Sequence, residues 1–254
     1  SMKLGMVTYL WGAKWDLPTL IKNCAETGFA GVELRSTHAH GVEVTLTEAE
    51  RKEVRLRFAN SPVELVGLGS ACEYQSPDEK VLRQNIELTK KFIVLSHDVG
   101  GSGVKVRPNR FNPGEDRETT IARIGMALRE CGDFAADYKQ ELRVEVHGRG
   151  TSDPMVMHEI MQVADHPQVR VCWNSNPGET IDGSIQHNFD LLKDHLSGVI
   201  HIHDLYDEKY PYRELFSLLK QEKFGGYCLS ESPATTDPLR VMRYYKAMWN
   251  ELTR

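Results

Sequence analysis

Short apolar runs rich in β-branched residues alternate along the chain with longer segments whose apolar positions recur every three or four residues. Lys3–Tyr9 reads as a strand, and Leu17–Thr27 follows it with Leu17, Leu20, Ile21 and Cys24 at helical spacing. Gly31–Arg35 is the next strand. Thr47 and Glu50 then form a capping box that opens a charged helix running to about Asn60. Val63–Leu68 precedes a helix over Asp78–His97, and Val104–Val106 precedes one over Arg117–Lys139. In the second half, Leu142–Glu145 is paired with Pro154–Ala164, and Val169–Trp173 with Ile185–His195. Val199–His203 is paired with Tyr212–Gln221, and Tyr227–Ser230 with Pro238–Leu252.

Eight strands and eight helices in strict alternation require parallel strands joined by right-handed crossovers. In about 250 residues that is the arithmetic of an α/β fold of the (β/α)8 TIM-barrel type. A doubly wound sheet is the rival, but the first strand–helix junction carries no GxGxxG. Composition does not shift along the chain, so residues 2–254 read as a single barrel domain, with Ser1 ahead of Met2 read as a tag remnant.

In such a barrel the chemistry sits where strands end, and polar side chains gather there: Glu145, Asn174, His201 and Glu231. Successive members are 29, 27 and 30 residues apart, each about one strand–helix unit, so they arrive at similar heights on neighbouring strands. Two carboxylates, an imidazole and an amide oxygen at one rim form a mixed oxygen and nitrogen site for a divalent cation. Without a cation, two facing carboxylates repel and one takes a proton. His201 and His203 alternate with Ile200 and Ile202, which puts both histidines on one strand face.

Composition narrows the classes. The 254 residues are 40 % hydrophobic and 26 % charged, with a net charge of −5, as in an ordinary globular protein. The acidic balance argues against nucleic acid as a partner, and no run of about 18 apolar residues suggests a membrane span. Five widely spaced cysteines without a CxxC suggest neither a disulfide framework nor a zinc knuckle, and so a reduced, cytoplasmic protein.

With these residues in view the chain resembles the sugar isomerase/epimerase superfamily with the xylose-isomerase-like barrel. That group includes ketose 3-epimerases, inosose dehydratases and the endonuclease IV branch. The likeness is carried by KLGMVTYLWG at the start, GFAGVELR at Gly28–Arg35, VEVHG at Val144–Gly148, HIHD at His201–Asp204 and LSESP around Glu231. HIHD is similar to the family's H-x-x-D element, which makes His201 rather than His203 the ligand. The resemblance implies one divalent metal, commonly manganese, cobalt, magnesium or zinc, held by Glu145, Asn174, His201 and Glu231. The family usually has Asp where Asn174 stands, so this site carries one negative charge fewer.

The resemblance also implies that Glu145 and Glu231 act as acid and base on the two faces of a carbohydrate substrate. They would move a proton α to its carbonyl. Lys105 and His147 would orient the substrate, and Arg35, His38 and His40 of the loop LRSTHAHGVE would cover it. His203 would also meet the sugar, and Trp173, Trp11 and Tyr9 offer an apolar face. The run from HIHD into the next helix is short, and no Gly-rich phosphate loop follows, so an unphosphorylated sugar or cyclitol is expected. The same parts would serve a keto-sugar dehydratase or 3-keto-glycoside lyase, and a degenerate metal site would leave a non-catalytic sugar-binding barrel. The resemblance favours a homo-oligomer. It disfavours an abasic-site endonuclease, because the extra metal ligands of that branch are missing.

Overall fold

A computed structural model describes all 254 residues. Each strand leads into the helix after it: β1 (Lys3–Val7) into α1 (Leu17–Thr27), β2 (Gly31–Arg35) into α2 (Glu48–Ala59), β3 (Glu64–Glu73) into α3 (Glu79–Val99), and β4 (Gly103–Arg107) into α4 (Arg117–Asp137). The order continues with β5 (Glu141–Glu145) and α5 (Pro154–Ala164), β6 (Val169–Cys172) and α6 (Gln186–Leu192), β7 (Val199–Ile202) and α7 (Tyr212–Gln221), then β8 (Tyr227–Ser230) and α8 (Pro238–Leu252).

All paired strands are parallel, in the order β6-β5-β4-β3-β2-β1-β8-β7. The two end strands meet through Ser197 N–H donating to Val171 O and His201 N–H to Trp173 O, both at 2.8 Å. The sheet is therefore a nearly closed barrel, as the alternation implied.

Helix starts follow local chemistry. Asp16 accepts from Thr19 N–H ahead of α1, and Thr47 and Glu50 form the anticipated reciprocal box ahead of α2. Two elements differ from the sequence pattern. β3 runs on to Glu73: Gly69, Ser70 and Ala71 carry little apolar signal, yet Gly69 pairs with Lys105 and, after a bulge, Glu73 pairs with Arg107 of β4. The sixth helix ends at Leu192 and tightens into a 3-10 turn over Lys193–His195.

Strand alternation decides what faces the lumen. Val104 and Val106, Leu142 and Val144, and Ile200 and Ile202 belong to the core cluster of 57 buried residues packed between strands and helices. Their neighbours Lys105, Glu145 and His201 point the other way, into the barrel. Lower in the lumen, glycines make room for large side chains. A Cβ at Gly31 would lie 2.6 Å from the Tyr227 ring, and one at Gly103 would lie 2.6 Å from the Arg143 guanidinium. Arg143 thereby reaches Glu141 at 2.8 Å, Val66 O and Ser102 Oγ, closing the floor with a paired charge. All five cysteines are free and buried. No helix is long and apolar enough to cross a membrane.

Candidate active site

The C-terminal mouth of the barrel holds a cavity of about 180 Å³ lined by Val7, Tyr9, Glu33, Arg35, Lys105, Arg107, Glu145, His147 and Glu231. His201 stands beneath it. One ligand atom each from Glu145, His201 and Glu231 lies within 4.8 Å of the others. His201 Nδ1 is 3.0 Å from Glu145 Oε2 and 3.7 Å from Glu231 Oε2, yet it has no aligned hydrogen-bond partner.

His201 Nε2, on the opposite side of the ring, lies 3.4 Å from Glu33 Oε1. With Nε2–H donated to Glu33, it is Nδ1 that faces Glu145 and Glu231; it holds a proton there in the metal-free chain and would offer a lone pair once a cation displaced that proton. Asn174 extends from the end of β6. Its Nδ2 donates to Val146 O and Asn176 Oδ1, while its Oδ1 is buried without a partner. An imidazole lone pair, two carboxylates and an orphaned amide oxygen form a donor set that fits a divalent cation.

The electrostatics are those of a buried charge network. Burial raises the Glu145 carboxyl, but Lys105 together with His201 more than reverses this and holds it well below the usual carboxylate range. Burial pushes Glu231 upward, opposed by His201 and reinforced by the like charge of Glu145. Burial also disfavours a proton on His201, but Cys172, Glu33 and Glu145 around it outweigh that and raise it well above its ordinary value. Two acids close together with one held low and the other raised are the signature of a site that stores a charge imbalance.

Of the residues singled out in the sequence, the structure brings Glu145, Glu231, Arg35, Lys105 and His147 to the cavity wall, with His201 below. His147 is held by its Nδ1 against Asn109 Oδ1 at 2.7 Å. Gly148, at φ +100°, permits this close approach, because a Cβ there would collide with Asn109 O. Tyr9 also lines the wall, and His38 stacks behind it at 6.2 Å with its Nδ1 2.7 Å from Thr8 Oγ1. Burial, with His40 and Arg35 nearby, lowers His38 to about 4.

Four others are spent on the scaffold. His40 bonds Arg35 O through Nε2 and accepts Val42 N–H at Nδ1, fixing the loop after β2. His203 bridges Glu231 O and Asn174 O, tying the ends of β8 and β6 together. Trp173 is fully buried, donating to Tyr210 Oη and packing edge-on against Phe189. Trp11 likewise sits in the core against Phe29 and Tyr245.

Two cavity residues escaped the sequence reading, Glu33 and Arg107. Each is a charge on an otherwise apolar strand, two positions from a residue already singled out, Arg35 and Lys105 respectively. Period-two alternation was the available signal. In register, Gly69 of β3 lies between Arg35 and Lys105, and a Cβ there would stand 2.9 Å from Glu33 Oε2. The missing side chain leaves the space that Glu33 occupies.

The family model of the xylose isomerase-like TIM barrel matches residues 21–249, and the chain belongs to that family. Among solved structures it is similar to 3-keto-D-glucoside 4-epimerase, YcjR, from E. coli, with a TM-score of 0.82 and 15 % identity over 99 % of this chain and 100 % of that one. It is similar to D-psicose 3-epimerase from Clostridium cellulolyticum H10, solved with D-tagatose, with a TM-score of 0.81 and 14 % identity over 99 % and 98 %. It also resembles the IolI protein with a binding zinc atom, with a TM-score of 0.79 and 15 % identity over 99 % and 98 %. At these identities the likeness is one of fold. No curated protein sequence matches this one.

Proposed function

We propose that this protein is a metal-dependent sugar isomerase or epimerase that moves a proton α to a carbonyl of an unphosphorylated sugar or cyclitol. The observation that carries the reading is the convergence of Glu145, His201 and Glu231 within 4.8 Å at the mouth of the barrel. The unpartnered His201 Nδ1 and Asn174 Oδ1 complete the donor set. The sugar epimerases among its structural neighbours support the same reaction class.

Glu145, Asn174, His201 and Glu231 would hold a divalent cation, which when bound would supply Lewis acidity to the substrate. The remaining work belongs to the chain. Glu145 at the end of β5 and Glu231 after β8 approach the substrate from different sides of the lumen. One takes the α proton, the electron pair of the broken C–H bond becomes a C=C π bond, and the carbonyl π pair moves onto its oxygen. The other returns a proton to the opposite face of the same carbon, which inverts it. The Lys105 ammonium and His147 lie where charge develops and hold the substrate oxygens in place. Arg35 and Tyr9 close the wall of a cavity of about 180 Å³, sized for one sugar unit.

The test is solvent exchange. Purified protein loaded with Mn²⁺ and incubated in D₂O with a panel of ketoses and 3-keto-glycosides should incorporate one deuterium next to the carbonyl, read by mass spectrometry. Glu145→Gln should abolish incorporation. Release of an aglycone or of water in the same mixture would move the reaction to the lyase class. No exchange with any member, in protein shown to hold metal, would contradict the reading.

A further inference from the structure

The cavity holds charges of both signs. β5 and the end of β8 bring Glu145 and Glu231 to it above His201, and β2 and β4 bring Glu33, Arg35, Lys105 and Arg107. Lys105 is 6 % exposed; it acts on Glu145 and Glu33 at longer range but makes no direct ion pair or hydrogen bond with either. Its ammonium is therefore free to meet an oxygen of a ligand. Arg35 reaches only the carbonyl and hydroxyl of Ser36 and pairs with no carboxylate. Arg107 is bound to Glu73 at 3.1 Å, but its Nε is buried without a partner. Gly69, in register between Arg35 and Lys105, contributes no side chain, so these cations share one opening.

Charge balance points the same way. Glu33, Glu145 and Glu231 offset Arg35, Lys105 and Arg107, and Glu73 adds one further negative charge beside the wall. Because position 174 is Asn, a divalent cation at the donor set would leave the region with an excess of positive charge. A neutral sugar does not relieve that excess, and a singly charged one does. A carboxylate in place of a terminal CH₂OH brings the single negative charge that balances this excess, whereas a phosphate ester brings close to two.

We propose that the substrate of this site is a sugar acid, a keto-uronate or its cyclic equivalent. Its carboxylate is seated between Arg35 and Arg107, and its carbonyl end lies at Glu145, His201 and Glu231, beside Lys105. The proposal rests on the functional reading above and names its substrate class. Guanidinium groups suit the task because they grip a carboxylate with paired N–H donors.

Titration calorimetry with D-fructuronate, D-fructose and D-fructose 6-phosphate tests it, on protein as purified and after loading with Mn²⁺, at low and moderate salt. The keto-uronate should bind at least about tenfold more tightly than the matching ketose at low salt, as charge-assisted hydrogen bonds predict. Arg35→Gln should shrink that ratio toward unity, and Arg107→Gln is the second variant should the first not fold. Equal affinity for acid and neutral sugar, tighter binding of the phosphate ester, or binding of none of the three would overturn the proposal. Mn²⁺ uptake, measured on the same samples by elemental mass spectrometry, separates the two levels. Uptake without a carboxylate preference removes the substrate class and leaves the metal site standing. A carboxylate preference without uptake removes the metal reading and keeps the substrate class.

Discussion

His201 is clamped between carboxylates on two different strands, with Nε2 3.4 Å from Glu33 Oε1 and Nδ1 3.0 Å from Glu145 Oε2. The ring and the Glu33 side chain are almost fully buried, at 1 % and 3 % exposure, so no water can replace either partner. Glu33 thus sets the orientation of a side chain whose other nitrogen faces the metal position. Glu33→Leu should weaken Mn²⁺ binding by about 10–100-fold, the usual effect of losing such an outer partner. Glu33→Gln retains an acceptor for Nε2–H and should lose less. Competition titration against a metal-sensitive dye measures both, and unchanged affinity in Glu33→Leu would show that His201 needs no support.

Asn174 sets the charge of the donor set. Its Nδ2 donates to Val146 O and Asn176 Oδ1, bonds an aspartate cannot make. Asn174→Asp should therefore lower the melting temperature of metal-free protein, since a carboxylate oxygen is turned toward a carbonyl. With Mn²⁺ the added charge should act in the opposite sense, giving tighter binding and a larger metal-induced rise in melting temperature than in wild type. Thermal scans with and without Mn²⁺ read both effects. A metal-induced rise no larger than that of wild type would mean that position 174 does not face the ion.

The loop after β6 carries a second buried acid. Glu179 is fully buried, accepts the Tyr210 hydroxyl at Oε1 and has no partner at Oε2. Burial pushes its carboxyl up to about 8 from an ordinary 4.5. Between those values the folded protein holds a proton that the unfolded chain has released, so stability falls as pH rises from about 5 to 8. Glu179→Gln keeps the acceptor and carries no titrating proton. Its advantage over wild type should grow across that window to on the order of a few kcal/mol at pH 8. Denaturant midpoints at pH 5, 6.5 and 8 give the comparison, and parallel pH profiles for the two proteins would refute it.

Space at Gly69 is what lets Glu33 reach His201. A methyl group there would sit 2.9 Å from Glu33 Oε2 and 3.4 Å from Arg35 Cα. Gly69→Ala should destabilise the protein by about 1–3 kcal/mol through overpacking. The cost should be partly relieved in Gly69→Ala/Glu33→Asp, whose shorter side chain withdraws from the methyl group. A double-mutant cycle on unfolding free energies measures the coupling, and strict additivity would mean that Gly69 is required for another reason.

Much of this protein is legible in its sequence. The alternation of strand and helix, from Lys3 to Leu252, determined the barrel, because a parallel strand must be followed by a crossover and eight crossovers close a circle. The spacing of Glu145, His201 and Glu231 placed them near one another for the same reason: strand ends on neighbouring repeats share a height. Their convergence within 4.8 Å depended on which way each side chain faced, which alternation within a strand predicts only once the strand is known to be buried on both sides.

The tertiary structure alone decided the rest. His40, His203 and Trp173 are polar or aromatic residues near strand ends, like the residues of the cavity. Their roles in the scaffold follow from the partners that folding brings to them: Arg35 O within the same loop for His40, and Glu231 O, Asn174 O and Tyr210 Oη from distant parts of the chain for the other two. Glu33 became part of the site because His201, 168 residues away, closes the barrel beside it and Gly69 leaves it room. A local pattern specifies where a side chain starts. Which partner completes it is set by closure of the sheet, because only there do residues remote in sequence come within hydrogen-bonding distance.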